Sequence, residues 1–242
     1  MKSFRSIAFF LLLPLSAVAQ DSYLSIGLGA ALPRGEFAAT ENITGSGYAF
    51  SGFAIEIDGT YFPGSVFGIA GMLGFGSFYT DQDAYLDNLE YSIISGGNLI
   101  GFTWPSDEEI DYTAGFWNYI NFLAGPELSL SFWRLQLGLK GLGGVSVLIS
   151  PKRELEYADA ANNFSALTKG TDLSFSYLYG GSLMYRLRSG TALRLSADYL
   201  TTKADYKYSF AAETPLSDYE ENASLSTAVE SLQLLIGLTY TF

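Results

Sequence analysis

A chain of 242 residues with 13 basic and 25 acidic side chains carries a net charge of −12, repels phosphate, and is excluded as a nucleic-acid binder. It has no cysteine and no histidine, which removes disulfides, thiol chemistry and the ordinary general base near neutral pH. Hydrophobic residues make up 48% of it, yet past the first 19 residues no run reaches 15 uninterrupted apolar positions, so helical membrane spans are excluded.

At the N-terminus, Lys2 and Arg5 precede an apolar stretch from Ile7 to Leu15, followed by Ser16, Ala17, Val18 and Ala19. The run is shorter than the about 20 residues of a membrane-spanning helix and ends in an A-x-A site, which predicts a signal peptide over 1–19 cleaved before Gln20. Of the 13 basic residues, Lys2 and Arg5 leave with it, so the mature chain, 20–242, carries 11 bases against 25 acids. Its length fits one domain, and no linker divides it.

Strands follow by period-two alternation. The first sets Leu24, Ile26, Leu28 and Ala30 against Tyr23, Ser25, Gly27 and Gly29. The second places Phe53, Ile55, Ile57 and Tyr61 opposite Gly52, Glu56, Asp58 and Thr60, and turns at Pro63-Gly64. The third carries Phe67, Ile69, Leu73 and Phe75 to about Tyr79, against Gly68, Ala70, Gly74 and Gly76. In the fourth, Phe116, Ile120, Phe122, Leu128 and Leu130 oppose Asn121, Glu127 and Ser129, and Pro126 predicts a bulge because it cannot donate to a ladder. A tight turn near Phe132 and Trp133 leads to the fifth, Leu135 to Ile149, whose other face holds Gln136, Gly138, Lys140, Gly144 and Ser146. The sixth sets Phe175, Tyr177, Tyr179, Leu183, Tyr185 and Leu187 against Ser174, Ser176, Gly180, Ser182 and Arg186, then turns at Ser189-Gly190. The seventh sets Leu193, Leu195, Ala197 and Tyr199 against Arg194, Ser196 and Asp198. The last alternates Leu232, Leu234, Ile236, Leu238, Tyr240 and Phe242 with Ser231, Gln233, Leu235, Gly237, Thr239 and Thr241, where Leu235 alone breaks the polar face.

Connections after the second, fourth and sixth strands are short, and the others are long. That rhythm predicts an all-β fold, an antiparallel eight-stranded up-and-down transmembrane β-barrel. Both termini and the short turns would be periplasmic, and the long loops extracellular. Alternation alone also fits a soluble ligand-carrying barrel with its apolar face inward. Residue size decides: the polar face is rich in Gly, Ser and Ala, which suits the cramped interior of eight strands. Aromatics near the strand ends then read as interfacial girdles, with Tyr61, Phe67, Tyr185, Tyr240 and Phe242 on one side and Tyr79, Phe116, Tyr177 and Tyr199 on the other.

The chain resembles the small eight-stranded outer-membrane barrels, of the OmpA/OmpX type and the "porin family" barrel domains. The likeness spans the mature chain and rests on the export signal, Ser25-Ile26-Gly27-Leu28-Gly29, Gly125-Pro126-Glu127-Leu128 and Leu238-Thr239-Tyr240-Thr241-Phe242. It implies a bacterial outer-membrane location and contact with outer-membrane lipid and lipopolysaccharide. It also implies that Leu238, Tyr240 and Phe242 carry the signal read by the barrel assembly machinery during insertion. The peptidoglycan-binding domain of longer relatives is not expected here.

Inside, Glu56, Asp58, Glu127 and Asp198 meet Lys140, Arg186, Arg194 and Arg134, a balance that predicts internal salt bridges rather than an open pore. A narrow ion path lined by the same charges is the sharper alternative. The enzymes that the resemblance brings to mind, acyltransferases, deacylases, phospholipases and surface proteases, rely on histidine, so no catalytic site and no enzymatic activity are expected. The segment from Thr80 to Asp111 holds eight acids (Asp81, Asp83, Asp87, Glu90, Asp107, Glu108, Glu109 and Asp111) and no base. Asp81-x-Asp83-x-x-x-Asp87 lacks the glycine and terminal Glu of a calcium loop, so a solvated acidic face is expected, with no metal or cofactor. Ile93, Ile94, Leu99, Ile100, Phe102 and Trp104 are too apolar for plain disorder and predict a segment that folds over the mouth or meets a partner. The functional expectation is a non-enzymatic barrel whose acidic loops serve surface interaction or envelope integrity, with an extracellular or envelope protein as partner. The alternatives are a subunit of a larger secretion or transport assembly, and a narrow channel.

Overall fold

The structure, a computed structural model, describes residues 21–41, 45–64, 66–96, 111–158, 163–187, 190–213 and 218–242. The predicted signal peptide, 1–19, lies outside them.

The elements in chain order are β1 (Tyr23–Arg34), α1 (Gly35–Ala38), β2 (Ala49–Tyr61), β3 (Phe67–Thr80), α2 (Gln82–Gly96), β4 (Asp111–Ala114), β5 (Trp117–Phe132), β6 (Leu135–Ala158), β7 (Asn163–Arg186), β8 (Thr191–Glu213) and β9 (Asp218–Thr241). Each strand pairs antiparallel with its neighbours in the order β6-β5-β3-β2-β1-β9-β8-β7, and a β6–β7 ladder closes the ring. β4 is the upper continuation of β5. It pairs with β6 in the register that β5 already uses, Ala114 opposite Arg153 and Asn118 opposite Ile149. Eight strands among the described residues therefore make a barrel without an edge, as the alternation predicts.

Closure depends on β9. Its last residues pair with the first strand, Leu24 opposite Tyr240 and Leu28 opposite Ile236, and the Phe242 amide donates to the Ser22 carbonyl at 2.9 Å. Both ends of the barrel chain thus lie at the short-turn end, beside the Trp133-Arg134 turn, where Trp133 takes φ 55°, and the turn at Gly190, φ 72°.

Two expectations are corrected. No bulge forms at Pro126: the register toward β3 runs unbroken from Phe67–Leu128 to Phe78–Trp117, with Pro126 opposite Ile69. The ladder to β6 omits Gly125 and Pro126 but resumes in the same register. The proline's missing donor therefore costs pairing on one side and no chain shift. The long connections after the fifth and seventh strands are also largely strand. The β8–β9 ladder continues from Leu200–Ser231 to Glu213–Asp218, about 40 Å of strand beyond the last outward-facing leucines. The outward apolar positions end there, where Lys203, Asp205 and Lys207 are exposed, while Ala204, Tyr206, Leu225 and Val229 stay buried on the inner face and backbone pairing persists.

Candidate functional site

Outward positions form one apolar belt. Leu28, Leu139, Ile236 and Leu238 are each more than half exposed, as are Phe67, Tyr177 and Tyr240. From Leu232 to Phe242 the strand climbs about 33 Å, which at a tilt of about 40° gives a height of about 25 Å, the thickness of a barrel's lipid-facing band. Aromatic rings pair at both margins. Tyr79 lies edge-on to Phe116 at 5.3 Å and Tyr179 stacks on Tyr199 at 5.2 Å, while Tyr240 stacks on Phe242 at 6.2 Å at the short-turn end. Leu238, Tyr240 and Phe242 all project outward in this belt.

The lumen is packed with side chains. At its middle the Lys140 ammonium lies 3.1 Å from the Asp198 carboxylate and 3.6 Å from that of Glu56, and Arg194 pairs with Asp58. All five are buried. Gly180 makes the first contact possible. It stands between Lys140 on β6 and Asp198 on β8, and a Cβ there would collide with the Asp198 carboxylate. Among the described residues Glu127 has no ion-pair partner: the Tyr23 hydroxyl donates to it at 2.7 Å and the Thr60 hydroxyl at 2.5 Å, while the Arg194 guanidinium lies over the Tyr23 ring. Arg186 sits lower, donating to Gln136 at 2.8 Å and pairing with Asp21 at 3.5 Å.

Arg134 is corrected. It is exposed on the short turn, over the Trp133 ring, and faces away from the lumen. The interior therefore buries four carboxylates against two close cations, and hydroxyl donors replace the missing bases. Above this layer Asn121, Ser146 and Ser176 form a hydrogen-bonded row, and Gln233 donates to the Tyr119 hydroxyl at 2.7 Å.

Leucines interleave with these polar rows along the lumen. Leu123, Leu142, Leu148, Leu178, Leu200 and Leu235 are buried in one cluster with the rings at the mouth, and Leu235 is the residue that interrupts the polar pattern of the last strand. Over them lies an aromatic plug. Phe37 of α1 packs edge-on to Phe78 and Trp117, and the Trp117 indole donates to the Gly47 carbonyl at 2.9 Å. Arg153, buried on β6, donates to the same carbonyl at 2.8 Å and lies over the rings of Tyr48 and Tyr85, at 5.3 and 4.6 Å. Tyr48 takes the left-handed φ of 53°, held by its amide donating to Ala39 and its carbonyl accepting from Asp81. Burial holds the Tyr48 and Tyr206 phenols above their ordinary range, against an opposing effect of Arg153.

Sequence reasoning missed Arg153, because a register shift between Ser150 and Arg153 turns it inward out of phase with the strand below. It also missed α2. The signals were present: Asp81 accepts from the Ala84 amide as a helix cap, and Tyr85 and Leu89 recur one turn apart and are both buried. α2 thus closes over the mouth, with Asn88 bonded to the Thr40 carbonyl. Asp83 and Asp87 are exposed on it and Glu90 is half-buried. Asp107, Glu108 and Glu109 lie outside the described residues, and Asp111 stands in β4 opposite Glu156. Among the described residues no three carboxylates converge as a metal site would require.

No protein-family model matches the sequence, and no curated protein matches it. Among solved structures, the chain is similar to a major outer membrane protein from Thermus thermophilus, at 12% identity over 91% of this chain and 99% of that one, with a TM-score of 0.44. It is similar to Ail, the attachment invasion locus protein of Yersinia pestis, at 14% identity over 93% and 99%, TM-score 0.41. It is also similar to the outer membrane protease OmpT from Escherichia coli, at 10% identity over 94% and 99%, TM-score 0.44.

Proposed function

We propose that this chain is an integral, non-enzymatic barrel of the bacterial outer membrane that conducts no solute and acts through what it presents outside the membrane, in surface interaction or envelope integrity. The carrying observation is the filled lumen: salt bridges interleaved with leucines at the middle and the aromatic plug at the mouth leave the apolar belt and the outer loops as the working surfaces. The short-turn end, with both chain ends, is periplasmic, and α2 with the long β6–β9 extension is extracellular.

Its partners in this reading are outer-membrane lipid and lipopolysaccharide around the belt, and the barrel assembly machinery, which reads Leu238, Tyr240 and Phe242 during insertion. An extracellular or envelope protein meets the acidic face of α2, where Asp83, Asp87 and Tyr91 are exposed. The absence of histidine and cysteine supports a non-catalytic role. Purified protein reconstituted in planar bilayers tests the reading: no unitary conductance is expected, and steady single-channel currents would replace it with the channel alternative. Stable co-purification with a secretion or transport complex from intact envelopes would favour the subunit alternative.

A further inference from the structure

On the outer face of β6, β7 and β8, just beyond the apolar belt, the chain gathers four of its six lysines: Lys152, Lys169, Lys203 and Lys207, all exposed. Lys169 and Lys207 are directly opposite each other across the β7–β8 ladder, an arrangement that repels. Lys152 stands on β6 beside the Arg153–Thr168 pair, so the row runs across three strands. In a chain with twice as many acids as bases, the nearest acids do not neutralise the pair. Glu154 is taken by Lys152 at 2.5 Å, and Asp172 accepts from the Ser174 hydroxyl and the Asp205 amide. Asp205 lies exposed one outward step below Lys207, and neither Lys169 nor Lys207 has an ion-pair partner among the described residues.

The backbone opens at the same place. Between Lys169 and Tyr177 the β7–β8 register shifts, leaving a recess of about 630 Å³ whose lining includes Lys152, Lys169 and Lys207 together with Asp172, Asp205 and Ser224. A second, of about 420 Å³, shares Lys169, Lys207 and Ser224. Height decides what occupies them. Lys169 stands two outward steps above Leu173, which is 68% exposed, and Lys207, directly opposite Lys169, stands two above Lys203. That is about 13 Å of strand, or about 10 Å of height, and the lysine stems can reach back down to the headgroup layer.

We propose that this recess binds the phosphate of an outer-leaflet lipid headgroup, with Lys169 and Lys207 as its principal ligands and Lys152 and Lys203 flanking them. This rests on the membrane reading above. The lipid's chains lie against Leu173, Phe175 and Tyr177 while its phosphate removes the Lys169–Lys207 repulsion.

The test uses the full chain folded in micelles containing phosphatidylcholine, titrated with phosphatidic acid and read by native mass spectrometry. Lys169→Ser/Lys207→Ser should bind phosphatidic acid about thirtyfold more weakly than the parent, and Lys169→Ser alone about fivefold. Phosphatidylcholine retention should not change. Equal affinity in parent and double variant, both compact and heat-modifiable on a gel, would overturn the site. Inorganic pyrophosphate binding as tightly as the lipid would overturn the lipid as occupant. A parent chain that never reaches the compact form would refute the membrane reading itself, and the site with it.

Discussion

Replacing Lys140 by methionine removes the ammonium that holds two buried carboxylates and keeps nearly the same volume. Its contacts lie at 3.1 Å to Asp198 and 3.6 Å to Glu56. With an effective dielectric constant of about 20, each carries about 5 kcal/mol of gross attraction. Desolvation of three ions, at several kcal/mol apiece, offsets most of that, so the intact cluster is close to neutral in net stability. Removing one partner is different, because the carboxylates keep their desolvation without its compensation, and the expected loss is about 3–5 kcal/mol. Urea unfolding from lipid vesicles, followed by the fluorescence of Trp117 and Trp133 at opposite ends of the barrel, measures it. The triple variant Lys140→Met/Glu56→Gln/Asp198→Asn should recover most of the loss, since neutral amides remove the uncompensated charge. A Lys140→Met loss below about 1 kcal/mol, or a triple variant no better than the single one, would refute the cluster as the organiser of the lumen.

Gly180→Ala should cost about 2–3 kcal/mol in the same titration, because its Cβ would displace the Asp198 carboxylate; much of that cost should vanish in the Lys140→Met background. Arg153→Leu removes the hydrogen bond to Gly47 and both ring contacts, so limited proteolysis should cut α2 about tenfold faster while the core keeps its heat-modifiable mobility. Raising the pH should loosen the same plug. The Tyr48 and Tyr206 phenols ionise later folded than unfolded, so their contribution is intact below about 10, the unfolded value, and declines as the pH rises beyond it. Protease sensitivity of α2 should therefore rise above about pH 10, and an unchanged rate through about pH 11 would count against burial of these phenols.

The belt was legible in the sequence because lipid imposes a rule on every second residue. Leu24 to Ala30 and, but for Leu235, Leu232 to Phe242 keep the alternation, and their pairing is the seam that closes the barrel. Beyond the membrane no solvent imposes that rule, so the ladder from Lys203–Ala228 to Glu213–Asp218 reads as a loop although its backbone is fully paired. α2 was hidden for a related reason: among its described residues the buried side chains are Tyr85 and Leu89, which leaves little periodicity among its acids.

The lumen was legible face by face and not contact by contact. Alternation brought Glu56, Asp58, Lys140, Arg194 and Asp198 inside, but which cation meets which acid depends on strand stagger, and that depends on ladders between residues far apart in sequence. Glu127 illustrates the consequence. It is opposite Lys140 in the β5–β6 register, yet Lys140 reaches Asp198 across Gly180, where no side chain blocks the path, and Glu127 turns to Tyr23 and Thr60. A glycine on the intervening strand therefore decides the pairing, and it carries no charge by which a sequence could announce the choice. Arg153 is the converse case. Its charge was plain, but the register shift after Ser150 turns it into the mouth, where Tyr48 and Tyr85, from two different loops, supply faces that only the closed barrel brings within reach.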